Sequence, residues 1–480
     1  MFHPEQLNKQ YLAALADRRA WDGLWRECYD LALPNATRLV GKGQRRTDRI
    51  FDATAMDAVD QLATALLGQV TPPWTPWFGL KCGTSLSEAE KNLAAPKLDD
   101  INARVFSHIT HSNFTVEMHQ CFLELVTAGT ACLAVHEATP GSMSAFRFEA
   151  VPLSDIILEE GEDGRLSTVY RPLMWSAAQM RHRFPDLPVK FGDDEDEITI
   201  VEAVLSQNGR ITRILFLPAG DHGAAIILDS ERLNASPYIA FRWQKAAGEH
   251  YGRSPVMKAL PDIKTANKVV ELILKNASIA VTGIWQADDD GVLNPATVIL
   301  EPGAIIPKAV GSQGLKPLEM PGRFDVSQLV LEDLRKRIRG AMLVDRLSGN
   351  NDKQMTATEV LERASENALL LAATYGRLQA ELLSPLIERV FAILMHRGEI
   401  PSFDIDGQRV AIDIRSPVAA IQVQRSMQSV LTMIDAANKL GPDALAGIDR
   451  HKLVARIAAD LGVPSDLLIP SEPQGVPANV

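Results

Sequence analysis

Cysteine is scarce in this chain: four in 480 residues, at Cys28, Cys82, Cys121 and Cys132. They lie far apart with no C-x-x-C pair, which argues against both a disulfide framework and a zinc cage. Long apolar runs are missing as well. The longest uncharged stretch, Gln61 to Leu80, contains Gly68 and three prolines, so it does not read as a membrane helix. An excess of base is also absent, with 60 acids against 49 bases and a net charge of −11. That sign disfavours a protein held tightly on DNA by phosphate contacts. The opening residues, MFHPEQLNKQYLAALADRRAW, mix acids and bases around no apolar core, so the expectation is synthesis in a reducing cytoplasm without a secretory signal.

Motifs that carry common chemistries are absent too. GKGQRR has its glycines and lysine at the wrong spacing for a phosphate loop, and neither G-x-S-x-G nor H-E-x-x-H occurs. His108 and His111 are three apart on an expected helix, but His119 and Cys121 belong to another segment and no motif joins them. Asp288, Asp289 and Asp290 precede Gly291 without the alternating ligands of a calcium loop, and EEGEDG and DDEDE read as solvated turns. The expectation is a protein that is not an enzyme and needs no cofactor or metal.

What is present is ordinary globular material. Apolar residues make up 46% and charged residues 23%, enough burial to offset chain entropy over two to four structural units. Residues 4 to about 33 are expected to form a helix, with Leu7, Tyr11, Leu15, Trp25, Cys28 and Ala32 near helical spacing. Asp52 is placed to cap a second helix and Gly68 to stop it. The chain then enters VTPPWTPWFGL, residues 70 to 80, where Trp74, Trp77 and Phe78 are candidate core or subunit-interface anchors. Ser85 with Glu88 suggests a capping box for a third helix, and a fourth is expected from about Thr115 to Thr127, ending in AGTACLAV.

Residues 145–245 change character, with alternating or apolar runs of strand length and one short helix, SAAQMRHRF. A helix returns with one apolar face through residue 281. An irregular stretch rich in glycine and proline follows, with short β-runs at TVIL and AIIP. Asp325 is then read as the cap of a helix with Val326, Val330, Leu334, Ile338 and Met342 on one face and Arg335, Lys336, Arg337 and Arg339 on the other. After the polar loop DRLSGNNDKQM, the capping box Thr356 and Glu359 opens a helix running to Arg397, which Pro385 should kink. SFDIDGQRVAIDIRSP reads as a strand pair turning at Asp406 and Gly407, and a helical tail ends in a proline-rich segment. The fold class expected is α+β, mainly helical.

Three stretches, DRIFDATAMDAVDQLATALLGQVTPPWTPWFGL, YGRSPVMKALPDIKTANKV and MTATEVLERASENALLLAATYGRLQAELLSPLIERVF, resemble the portal, or head-to-tail connecting, proteins of short-tailed double-stranded DNA bacteriophages. The resemblance spans about residues 5–415. It implies a portal fold with a wing over residues 1–255, helical over 1–140 and β-rich over 145–245. It also implies stem helices at 256–281 and 325–344 around a clip at 282–324, and a channel loop at 345–355. Residues 356–416 would return to the wing, 417–470 would form crown helices, and 471–480 a flexible tail.

The implied role is a ring, usually dodecameric, at the portal vertex of the virion. Double-stranded DNA passes through it, packaged by a separate terminase and later ejected, with weak and transient binding. Partners implied are the terminase large subunit, the major capsid and scaffolding proteins and tail adaptor proteins, with no membrane. Candidate channel contacts are Arg346, Asn350, Asn351, Lys353, Lys336, Arg337 and Arg339. The competing readings are another virion component, such as a tail adaptor or internal scaffold, and, further off, an unmarked nuclease or hydrolase.

Overall fold

The computed structural model describes residues 3–34, 49–185, 187, 193–207, 209–220, 224–282, 285–286, 316–317, 324–344, 373–401, 403 and 407–414, together with scattered residues between 430 and 457. Helix α1 runs Pro4–Ala32 and α2 Thr54–Val70. Strand β1 (Phe78–Cys82) leads to α3 (Glu88–Thr110) and α4 (Phe114–Ala128). Then come β2 (Thr130–Glu137), β3 (Phe146–Val151), β4 (Ile157–Glu159), β5 (Thr168–Ser176), α5 (Ala177–Arg183), β6 (Glu197–Gln207), β7 (Arg210–Leu217), β8 (Ile226–Leu233) and β9 (Tyr238–Arg242). Helix α6 (Pro255–Thr282), the two-residue strands β10 (Trp285–Gln286) and β11 (Lys316–Pro317), α7 (Phe324–Ala341), α8 (Ser384–His396) and β12 (Val410–Ile414) complete the described elements.

The strands form one antiparallel sheet in the order β4-β5-β6-β7-β8, a second in the order β3-β2-β9, and the pairs β1-β12 and β10-β11. Strand β2 is covered on both faces. Ala131, Leu133 and Val135 enter the main core with α2, α3, α4, α7 and α8, while Cys132 and Ala134 join Trp25 and Tyr29 of α1. The first half of α1 closes the larger sheet, with Leu7, Tyr11 and Ala14 on Tyr170, Val201, Ala203 and Phe216. Helix α5 and its neighbours close the other face with Ala177, Met180, Ile198 and Ile200.

Several sequence expectations shift. Helix α2 passes through Gly68 and ends at Val70, where the Thr71 amide still reaches the Leu67 carbonyl at 3.1 Å and Pro72 and Pro73 prevent continuation. Asp52 does contribute, but its Oδ1 accepts from the Thr54 amide at 3.0 Å while Ala53 occupies the cap. The capping box of α3 is Ser87 with Glu90, two residues beyond the expected pair, because Ser85 instead bonds the Gln408 carbonyl. Helix α7 opens at Phe324, so Asp325 lies inside it.

ACLAV is not a helix end but the interior of β2, so the run of strands β2 to β9 begins at Thr130, and it and β1 both fall within the region expected to be helical. The expected strand partner of β12 falls largely outside the described residues. The partner observed is β1, with Phe78 opposite Ile414 and Cys82 opposite Val410. Where Pro385 was expected to kink the helix there is a π turn at Gln379–Leu383, in which the Ser384 amide reaches back to the Gln379 carbonyl. The TVIL and AIIP runs, the Thr356 capping box, most of the crown region and the C-terminal tail lie outside the described residues.

The tryptophan segment divides. Trp77 and Phe78 are 1% and 2% exposed in the main core, with Trp77 stacked on Phe114 at 5.9 Å between centroids and Phe78 edge-on to Phe391. Trp74 is 83% exposed. Asn102 on α3 finishes the free edge of β1, accepting from the Leu80 amide at 2.7 Å and donating to the Leu80 carbonyl at 3.1 Å.

Candidate functional site

The basic helix α7 lies beside α6, and the start of α2 joins them. Leu331, Leu334 and Ile338 on α7 and Met342 just past its end share a core with Val256, Leu260, Ile263 and Ala266 on α6, as their three- and four-residue spacing requires. Between the two helices, Arg337 Nη2 donates to Asp262 Oδ1 at 2.7 Å. Asn267 of α6 holds the entry to α2, accepting from the Phe51 amide at 2.7 Å and donating to the Arg49 carbonyl at 3.0 Å.

Arg335 donates from Nε and Nη2 to Asp52 Oδ2, each at 2.8 Å, and the Asp52 side chain is 3% exposed. Burial pushes that carboxyl up, but the Thr54 hydrogen bonds and the Arg335 guanidinium together hold it below the usual carboxylate range. Two of the four consecutive-face cations are therefore committed to acids of the same chain. Lys336 and Arg339, three residues apart and exposed, make no ion pair among the described residues.

Of the expected channel contacts, then, the structure brings Lys336, Arg337 and Arg339 onto one exposed helix surface and ties down Arg337. Arg346, Asn350, Asn351 and Lys353 lie outside the described residues. Exposed apolar side chains accompany the basic ones: Leu272 and Leu274 on α6 are 48% and 52% exposed, and Leu329 and Val330 on α7 are 71% and 46% exposed. Leu272 and Leu274 point to opposite sides of α6, about 200° apart at roughly 100° per residue.

His108 and His111 are used structurally. His108 Nε2 meets Glu399 Oε2 at 2.7 Å while Nδ1 accepts from the Ala145 amide, and His111 Nδ1 lies 2.7 Å from the Ser107 carbonyl. Among the described residues no group of three metal-ligating side chains converges, and no helix is long and apolar enough to cross a membrane. An open cleft of about 560 Å³ lies between the α3–α4 turn and the β2–β3 hairpin, lined by His111, Asn113, His136, Thr139, Ser142 and Arg147. It contains none of the expected site residues.

Sequence reasoning passed over the most deeply buried charge among the described residues. Arg242, at the end of β9, is fully buried and meets Glu381 of the π turn through its amide at 2.9 Å, Nε at 3.2 Å and Nη2 at 2.6 Å. Its remaining donors reach the Gly164 carbonyl at 2.7 Å and the His250 carbonyl at 3.0 Å, and Glu160 lies 3.7 Å away, itself paired with Lys245. The signal was available in YIAFRWQK, since a cation inside an apolar run requires a partner in the fold.

Comparison with known proteins covers nearly the whole chain. The sequence is 25% identical over 495 residues to a probable portal protein of Bordetella phage BPP-1, covering 95% of this chain and 86% of that one. It is 24% identical over 510 residues to the portal protein of Salmonella phage epsilon15, covering 98% and 89%. A chain from the neck of an empty gene transfer agent particle aligns over 82% of this chain and 92% of its own, with 13% identity and a TM-score of 0.36. Residues 4–468 match the family described as bacteriophage head to tail connecting protein. The chain belongs to that family, and its role is that of a head-tail connector of the virion.

Proposed function

We propose that this connector is the subunit of a portal ring at one capsid vertex, through which double-stranded DNA is packaged by a separate terminase and later ejected, and to which tail adaptor proteins attach. In this reading α6 and α7 are the stem, residues 282–324 the clip and 345–355 the channel loop. The observation that carries it is the apolar surface left open on both stem helices and on two sides of α6. A subunit with a neighbour on each side buries such surface, and head-to-tail contacts of this kind close into rings.

Charge supports the same reading. Twelve copies at −11 total about −130, a conduit that passes a polyanion without retaining it, while Lys336 and Arg339 offer local, weak phosphate contacts. Electron micrographs of the purified full-length protein test the ring, which should show a central hole; a monodisperse monomer under all assembly conditions would overturn it.

A tail adaptor or internal scaffold shares acidity and helicity but not a clip between two stem helices. Deleting residues 285–320 separates the readings, since a portal should keep its rings and lose terminase docking. For the channel loop, Arg346→Ala with Lys353→Ala should leave rings intact and alter packaged DNA length or retention. Normal length without leakage would remove the loop from the path of the DNA.

A further inference from the structure

Two features coincide in the chain that leads into α8: a π turn at Gln379–Leu383 and, inside it, Glu381, the carboxylate that meets the fully buried Arg242. A π turn carries one residue more than the α-helix it interrupts, and it persists where something outside the helix holds it. Pro385 explains part of it. Its ring lacks an amide and crowds the carbonyl four residues back, which is that of Glu381. The Gln379 carbonyl instead takes the Ser384 amide, and also the Ser384 hydroxyl at 3.1 Å.

The pair is lopsided. Arg242 is fixed on the sheet side by the Gly164 and His250 carbonyls, with Glu160 close by, so its position is set without the helix. On the helix side Glu381 is the carboxylate that receives it. Arg377, one turn earlier, lies 3.5 Å from the same oxygen. Return of the turn to the α register would swing Glu381 by about one residue's rotation, roughly 100°, and take it off Arg242.

We propose that the Arg242–Glu381 pair is a latch that selects the π register, and that its release lets residues 373–378 turn about the helix axis relative to α8. The wing sheet and the helix entering α8 are then coupled through one side chain. Rotation of residues 373–378 breaks the latch, and an intact latch resists that rotation. This goes beyond the ring reading and does not depend on it.

The test compares two full-length variants by cryo-electron microscopy. Arg242→Met with Glu381→Met removes both charges and keeps apolar bulk, so no lone buried charge remains. It should show residues 379–383 in α geometry and residues 373–378 turned by about 100°. Pro385→Ala, with the latch intact, should keep the π turn. A π turn surviving in the double variant, or lost in Pro385→Ala, overturns the proposal.

Should the double variant not fold, Glu381→Gln is measured by amide hydrogen exchange. Exchange at least about tenfold faster and confined to residues 373–383 supports the latch. Unchanged exchange, or an equal rise through β9 and α8, overturns it.

Discussion

Gly129 and Gly252 lie backbone against backbone. A Cβ on Gly129 would sit 2.4 Å from the Gly252 carbonyl oxygen, and a Cβ on Gly252 would sit 2.1 Å from that of Gly129. Around this contact the Trp243 amide donates to the Gly129 carbonyl at 2.9 Å, the Gly252 amide to Thr130 Oγ1 at 2.8 Å, and Ser254 Oγ to the Thr127 carbonyl at 2.8 Å. The YGRSP stretch is therefore the clasp by which the chain leaves the sheet for α6 against the end of α4. Gly252→Ala should destabilise the protein by about 3 kcal/mol, the upper end for overpacking, because the atoms in the way are backbone. Denaturant unfolding of the full-length variant measures it.

Trp77→Ala should cost about 3 to 5 kcal/mol, the range for a buried aromatic replaced by a small residue. Trp74→Ala should change unfolding by less than about 0.5 kcal/mol, as at exposed sites generally. Unfolding curves of the two variants check the division of the segment into a core residue and an exposed one.

On α7 the cations should separate by partner. Arg335→Ala leaves the buried Asp52 carboxylate without its guanidinium and should cost about 1 to 3 kcal/mol. Lys336→Ala and Arg339→Ala should each stay within about 0.5 kcal/mol. Thermal unfolding of the three variants reads this directly, and it marks Lys336 and Arg339 as the side chains free to act on something outside the chain.

Glu124 supplies a pH dependence. Burial raises its carboxyl to about 7 from 4.5, against the hydrogen bond from the Tyr29 hydroxyl and with a smaller push from Asp155. A carboxyl raised in the folded state favours folding most below pH 4.5, and that contribution is lost as pH rises to about 7. Glu149 acts in another window. His136, whose Nε2 lies 3.4 Å away, and Arg171 lower it to about 2 despite burial, so its contribution is present above pH 4.5 and lost as pH falls toward 2. Glu124→Gln should therefore gain stability relative to the parent between pH 5 and pH 8, and denaturant midpoints at the two values check it.

How much of this could be read from the sequence depended on where each residue's partner sits. Helices α1, α6 and α7 were legible because the pattern that buries one face, such as Leu334 and Ile338, is local. Strand β2 was not. Covered on both faces, ACLAV shows no alternation, and it follows α4 after Gly129 alone, so it reads as the helix running on. Caps missed by two residues because Ser85 was drawn to Gln408, 323 residues away. The basic face of α7 was visible, but its division was not, since the acids that claim Arg335 and Arg337 lie 283 and 75 residues distant.

The pairing of β1 with β12 sets a timetable for synthesis. Lys81 and Asp413, an ion pair across those strands, are 332 positions apart. At about 5 to 20 residues per second a ribosome needs roughly 17 to 66 s to make that much chain. Through that interval β1 is an open edge on the side β12 will occupy, with Asn102 bonded on the other. A nascent chain that has made its first helices still lacks the strand that completes them, so truncated products should enter assembly poorly. Connector supply in an infected cell would then follow completed chains rather than initiated ones.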